Sequence, residues 1–248
     1  MSETNNYETK AKKLFGDINN STKNDNPAIP AATIILLREK EERVQVLMLQ
    51  KNAEITFGGM WVFPGGRIDE SDYAGKEDMD LAARNAAVRE TEEETGLKLN
   101  GDNFVYFSHW TPPKSTPKRY ATWFFAAEAN GEENVEVDGE EILSHRWICP
   151  KEAIELQKEN KIELAPPTWV TLYHLSQRNS ITEILENFAT SSTKVYKTRV
   201  VRDNDGTPII LWYGDAAYES LDLAAQGHRH RLAISKNGFG FENTVEEY

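Results

Sequence analysis

A chain of 248 residues with 39% hydrophobic side chains has ample material for a buried core, and its length allows one domain or two. The 28 basic and 40 acidic residues leave a net charge of −12, which speaks against a nucleic-acid backbone as the main partner. A single cysteine, Cys149, excludes an internal disulfide; set in an apolar, strand-like stretch, it reads as a buried structural thiol.

No stretch reaches the length of a membrane span, and the polar N-terminus lacks a signal-peptide core. No membrane partner is therefore expected, and the cytoplasm is the default compartment. Residues 1–28, rich in Asn, Lys and Thr, read as a flexible N-terminal arm. Ala31 to Leu37 and Val44 to Gln50 read as strands around the charged turn Arg38 to Arg43, and a short apolar run, Met60 to Phe63, leads into Pro64-Gly65-Gly66-Arg67. The paired glycines permit a tight turn and bring bare backbone close to a ligand. After the acidic interval Asp69 to Asp80, a helix runs to Thr95, with Asp78 or Asp80 as its cap and Gly96 as its stop. Strands at Phe104 to Trp110, Tyr120 to Ala127 and His145 to Cys149 follow, then a helix from Lys151 to Glu159.

Beyond these, Pro166-Pro167-Thr168 opens a helix through Leu175, and Ile181 to Phe188 forms another. Val195 to Val201, Pro208 to Tyr213 and Arg231 to Ser235 read as strands, the first two joined by the turn Asp203-Asn204-Asp205-Gly206. So few large aliphatic residues make a weak independent core. Residues 166–248 are therefore expected to be an extension packed on the preceding domain or used as a homodimer contact.

The helix ending at Thr95 carries the chemistry. Each helical residue advances about 100°, so Glu90, Glu93 and Glu94 fall on one stripe and Glu92 points roughly the opposite way. That stripe also carries Ala83, Ala86, Ala87 and Leu97, the residue types of a packed face. Three like charges beside small apolar side chains repel one another and lose hydration unless a cation neutralises them. A hard divalent ion held by carboxylate oxygens, Mg²⁺ or Mn²⁺, meets that need. A merely solvated acidic face would place Lys or Arg four residues on; position 94 is Glu, 97 is Leu, and only Lys98 follows.

Strand, glycine turn and glutamate helix together resemble the Nudix hydrolase family. Its box reads Gly, five residues, Glu, seven residues, then Arg-Glu-apolar-any-Glu-Glu-any-Gly-apolar. Arg89, Glu90, Glu93, Glu94, Gly96 and Leu97 match the second half, with Thr91 at the aliphatic position. The first half is stretched: five residues on from Gly66 stands Asp72, and sixteen residues rather than seven separate it from Arg89. Asp72 or Glu70 would stand in for the first glutamate, with the extra residues in an enlarged loop within Asp69 to Asp80.

The resemblance implies an α/β fold, a Nudix-type α/β/α sandwich with a mixed β-sheet over residues 29–165, followed by a C-terminal α+β extension. It implies hydrolysis of a nucleoside-diphosphate derivative with Mg²⁺ or Mn²⁺ held by Glu90, Glu93, Glu94 and the Gly65 carbonyl. Arg89 would orient the glutamates or stabilise the leaving phosphate. The general base would be Glu93, Glu94, or an acid on a distant loop, Glu140 or Glu141.

Arg67, Trp110 and Arg119 are the candidate substrate-binding residues. Trp110 and Arg119 belong to an aromatic and basic cluster that would stack a base and hold a distal phosphate, or else be a strand-edge aromatic with solvated neighbours. The arrangement looks most like the coenzyme A and acyl-coenzyme A diphosphatase branch, although Lys51-Asn52-Ala53 stands where a second coenzyme A branch carries arginines. ADP-ribose or dinucleotide hydrolysis is an alternative, as is a Nudix-fold sensor that binds without cleaving. His228-Arg229-His230-Arg231, the most basic patch, reads as ordinary surface.

Overall fold

The structure is a computed structural model that describes residues 9, 11–12, 14–16, 26–129, 134–236 and 238–245. The chain divides into two compact units: Pro30–His109 with Thr122–Lys194, and Met1–Ile29 with Trp110–Ala121 and Val195–Glu247.

In the larger unit, β1 (Ile29–Lys40) and β2 (Arg43–Lys51) form an antiparallel hairpin in which Lys40 faces Arg43. Both turn residues, Glu41 and Glu42, have positive φ, the conformation that matches the twist of a two-residue hairpin. The hairpin is thus longer than its apolar runs suggest, since backbone pairing continues past Leu37 through charged side chains. β3 (Trp61–Val62) and β7 (Ile142–Ile148) pair with β2, while β4 (Gly65–Arg67) pairs with β1. β6 (Tyr120–Glu128) lies beside β1 and β5 (Val105–Thr111) beside β6.

Helix α1 (Met79–Thr95) is capped by Asp78, whose side chain accepts from the Asp80 and Leu81 N–H groups, and stops at Gly96 (φ 71). Ala82, Ala83, Ala86 and Ala87 are fully buried in a core shared with Ile34, Leu36, Leu47, Leu49 and Phe125. Their small side chains let the helix backbone approach the sheet closely, which carries the glutamates of the next turn toward the strands. Buried Thr91 takes the place of an aliphatic residue by bonding its hydroxyl to the Ala87 carbonyl at 2.6 Å.

Helices α2 (Pro150–Lys158), α3 (Pro166–Leu175) and α4 (Ile181–Thr190) complete this unit. The expected boundary at Pro166 assigned α3 and α4 to the extension. They group instead with the glutamate helix, because Val170, Leu172, Leu175 and Ile184 are buried and Phe188 stacks on Phe107 at 4.1 Å. Cys149 is only partly buried and immediately precedes α2.

The other unit contains β8 (Lys194–Lys197) and an antiparallel sheet in the order β12 (Gly238–Asn243), β11 (His230–Ser235), β10 (Pro208–Leu211), β9 (Arg199–Arg202). The single strand expected over Val195 to Val201 is split at Thr198, whose N–H bonds to the Thr111 carbonyl. Aromatic rings supply the core that aliphatics do not. Trp110 stacks on Tyr196 with centroids 3.7 Å apart, and Trp212 meets both edge-on at 5.5 Å. The basic patch is absorbed into this unit: the His228 and His230 rings contact the Thr244 and Tyr213 carbonyls, and Arg231 pairs with Asp215. The expected N-terminal arm lies largely outside the described residues; within it, Ala11, Leu14 and Phe15 are buried, so this part is packed rather than free. Among the described residues no helix is long and apolar enough to cross a membrane.

Candidate active site

The glycine bend and the glutamate helix meet directly. Gly65 has φ 146, and a Cβ there would lie 2.6 Å from the Thr33 Cα, so neither backbone angle nor space admits a side chain. Its N–H donates to Glu94 Oε2 at 2.9 Å. A Cβ on Gly66 would fall on the Glu90 carboxyl group itself. Gly66→Ala is therefore expected to push the flexible Glu90 carboxyl out of its seat at little cost in stability, within about 1 kcal/mol. A melting curve and a Mn²⁺ titration check this: unchanged ion affinity would mean that Glu90 is not seated there.

Glu94 is enclosed, with its side chain 4% exposed. Its Oε1 has no hydrogen-bond partner, and the Lys51 ammonium stands 3.5 Å away. Burial pushes the Glu94 carboxyl up to about 7; Lys51 and the Gly65 N–H pull against that, while Glu90 and Glu141 add to it. Burial also raises Glu90, against the stabilising effect of Arg89. Glu92 faces outward near Lys98, 3.8 Å away, as the helical spacing predicts.

Arg89 organises the acids. Its Nε and Nη2 bond the two oxygens of Asp72 at 3.0 and 2.9 Å, and Nη1 reaches Glu90 at 2.9 Å and Glu93 at 3.1 Å. Burial alone would raise Asp72, but the Arg89 hydrogen bonds and the Asp69 N–H hold it below its ordinary value. Asp72 sits on a 3₁₀ turn, Glu70–Tyr73, tied to α1 by Asn85, whose amide donates to the Asp72 carbonyl at 2.8 Å. Of the two acids considered for this place, Asp72 is engaged and Glu70 is exposed. Arg67 is exposed, pairs with Asp69, and gives its carbonyl to Arg89.

A second loop closes on the same helix. Asp138 Oδ1 accepts from the N–H groups of Glu140, Glu141 and Ile142, and Asn52 bonds the Glu140 and Glu141 carbonyls. Lys51 Nζ donates to Glu141 Oε1 at 2.5 Å. Burial lowers the Lys51 pKa, but Glu94 and Glu141 outweigh it and raise the pKa above its ordinary value. Lys51 is absent from the site residues expected from sequence. Its signal is a lysine on the same strand face as Leu47 and Leu49, at the end of β2.

Of the three glutamates, Glu90 and Glu94 meet the glycine bend, whereas Glu93 is turned toward Arg89 and solvent. Among the described residues no three His, Cys, Asp or Glu side chains are placed as an ion cage. Arg89 draws Glu93, 59% exposed, away from buried Glu94. The donor set nonetheless suits a hard divalent ion: carboxylate oxygens, one of them buried without a hydrogen bond, packed directly on a glycine bend. Trp110, expected against a substrate base, is 3% exposed and stacked in the aromatic core of the smaller unit. Arg119 bonds the Pro112 and Asn26 carbonyls, so its guanidinium is engaged with backbone.

Residues 27–168 match the family model of the NUDIX domain. A relative from Caenorhabditis elegans, provisionally named nudix hydrolase 7, is 28% identical over 183 residues, covering 59% of this chain and 60% of that protein. The acyl-coenzyme A diphosphatase NUDT19 of Xenopus laevis is 26% identical over 127 residues, covering 48% of this chain and 33% of its own length. The chain thus spans less than two thirds of either relative. The crystal structure of a NUDIX hydrolase from Alicyclobacillus acidocaldarius superposes with a TM-score of 0.61 at 18% identity, covering 68% of this chain and all of that one. It shows the same mixed α/β fold. With the domain match extending over more than half its length and the box glutamates seated at the glycine bend, this chain belongs to the Nudix family.

Proposed function

We propose that this protein is a metal-dependent hydrolase of the diphosphate linkage in a nucleoside-diphosphate derivative, with coenzyme A or an acyl-coenzyme A as its substrate class. The observation that carries the reading is the docking of Glu90 and Glu94 against Gly66 and Gly65. Glu90, Glu93, Glu94 and the Gly65 carbonyl would hold Mg²⁺ or Mn²⁺, which when bound supplies charge neutralisation for the diphosphate and acidifies a coordinated water.

The chain's own groups do the rest. Arg89, anchored on Asp72, orients Glu90 and Glu93. Glu141 is the better placed base: its side chain is 56% exposed and open to water, whereas Glu94 is enclosed. Arg67, beside the glycine bend, is a contact for a substrate phosphate. The coenzyme A part of the reading draws support from the Xenopus relative.

The test is a panel of coenzyme A, an acyl-coenzyme A, ADP-ribose and a dinucleotide with Mg²⁺, followed by product separation. Coenzyme A or its ester should show the highest kcat/KM, and chelation by EDTA should abolish turnover. Preference for ADP-ribose or a dinucleotide would overturn the coenzyme A assignment. Should nothing turn over while one compound raises the melting temperature, the protein is a sensor. As a control, Glu92→Gln should stay within about twofold of wild type, since Glu92 faces solvent.

A further inference from the structure

Arg89 links acids of the 3₁₀ turn and of α1, and Lys51 is a second cation that touches acids from two separate elements of this site. Its side chain is 11% exposed, and its ammonium lies 3.5 Å from Glu94 on α1 and 2.5 Å from Glu141 on the loop before β7. The backbone around it is fixed: the Lys51 N–H bonds the Met60 carbonyl, its own carbonyl accepts from Gly59, and a register shift between Gln50 and Lys51 interrupts the pairing with β7. The loop it reaches is a turn built by Asp138, stapled to β2 by Asn52 through main-chain oxygens only. Asn52 thus holds the loop's backbone. Among the described residues, Lys51 is what holds the Glu141 carboxyl against the helix.

We propose that Lys51 is a positioning residue that ties the Asp138–Glu141 loop to Glu94, so that Glu141 is held at the site before substrate arrives. The charges of Glu94 and Glu141, which come from different elements, act against each other. One shared ammonium, shielded from solvent, converts that repulsion into a link. The inference rests on the proposed hydrolase reading for its kinetic consequence, but not for its structural one.

The kinetic test compares Lys51→Met, Glu141→Gln and the double variant. If Lys51 acts through Glu141, each single change should lower kcat roughly 10- to 100-fold with KM within about twofold. The double variant should then be no more than about threefold worse than the poorer single one, because the link is broken only once. Lys51→Arg, which keeps a cation, should recover most of kcat, and it serves as the informative variant if Lys51→Met does not fold. Multiplying losses would overturn the proposal, as would a rise in KM with kcat unchanged, which would place Lys51 on the substrate instead.

The structural test is a crystal structure of ligand-free Lys51→Met, and it needs no turnover. The Glu141 carboxyl should turn away from Glu94 into solvent, while the 138–142 backbone, held by Asp138 and Asn52, keeps its place. A Glu141 carboxyl that stays beside Glu94 without the ammonium would contradict the link. A wild-type protein that cleaves no diphosphate would sink the hydrolase reading, and the position of the Glu141 carboxyl would still decide the role of Lys51.

Discussion

Glu94→Gln should lower diphosphate cleavage by roughly 1,000-fold, equivalent to about 4 kcal/mol of transition-state stabilisation, while leaving the protein folded. The size of the effect follows from where the side chain sits. Glu94 Oε2 is occupied by the Gly65 N–H, and Oε1 is buried with only the Lys51 ammonium nearby. An amide in its place presents at least one N–H₂ hydrogen set to the Lys51 ammonium or the Gly65 N–H, and it contributes no charge to a divalent ion. Stability should change little, because burial already disfavours the charged form of this carboxyl. Glu93→Gln should act in the same direction, since Glu93 lies on the same stripe and accepts from Arg89 at 3.1 Å. Steady-state kinetics with a melting curve for each variant check this. Equal losses from Glu92, Glu93 and Glu94 would contradict the orientation of the helix.

In the smaller unit, Asp215→Ala should cost roughly 3–5 kcal/mol, the penalty for leaving one member of a buried ion pair alone. Asp215 is buried and accepts from Arg231 Nε at 2.7 Å, Arg231 Nη2 at 2.6 Å, and the His230 and Ala217 N–H groups at 2.8 Å each. Burial on its own would raise this carboxyl, but these bonds more than offset it and hold it below 3.8. A folded-state pKa depressed below the unfolded one contributes stability at every pH above the unfolded value. That contribution is lost as pH falls through the folded value. Wild-type stability should therefore decline below about pH 4 more steeply than that of Asp215→Asn, which has no carboxylate to protonate. Urea unfolding at pH 7 and at pH 3 measures both effects. Parallel pH profiles for the two proteins would rule the account out.

The glutamate helix is legible because its signals are local: Asp78 and Gly96 mark its ends, and a carboxylate stripe at three- and four-residue spacing shows its face. Asp72 is legible as a position in the stretched box, but its engagement by Arg89 depends on a short turn that no periodicity reveals. β4 is hidden for a related reason, since a glycine-rich triplet has no side chains from which to read a strand.

Lys51 is a harder case. Its place in the site comes from the register of β2 with β7 and from the fold that brings α1 across the same sheet face, both of them long-range facts. Trp110 shows the converse limit, because aromatic residues next to basic ones have the same composition on a binding rim as at the edge of a core. The partners that decide the matter, Tyr196 and Trp212, lie far along the chain. That α3 and α4 group with the larger unit is not legible at Pro166, because two prolines announce the start of a helix and say nothing about which core the helix joins.

The most direct measurement is a Mn²⁺ titration followed by electron paramagnetic resonance, on wild type and on Glu90→Gln and Glu94→Gln. Wild type should bind the ion, and each variant should bind it roughly tenfold more weakly or worse. Equal affinity in all three proteins would place the ion elsewhere and contradict a metal site at the glycine bend.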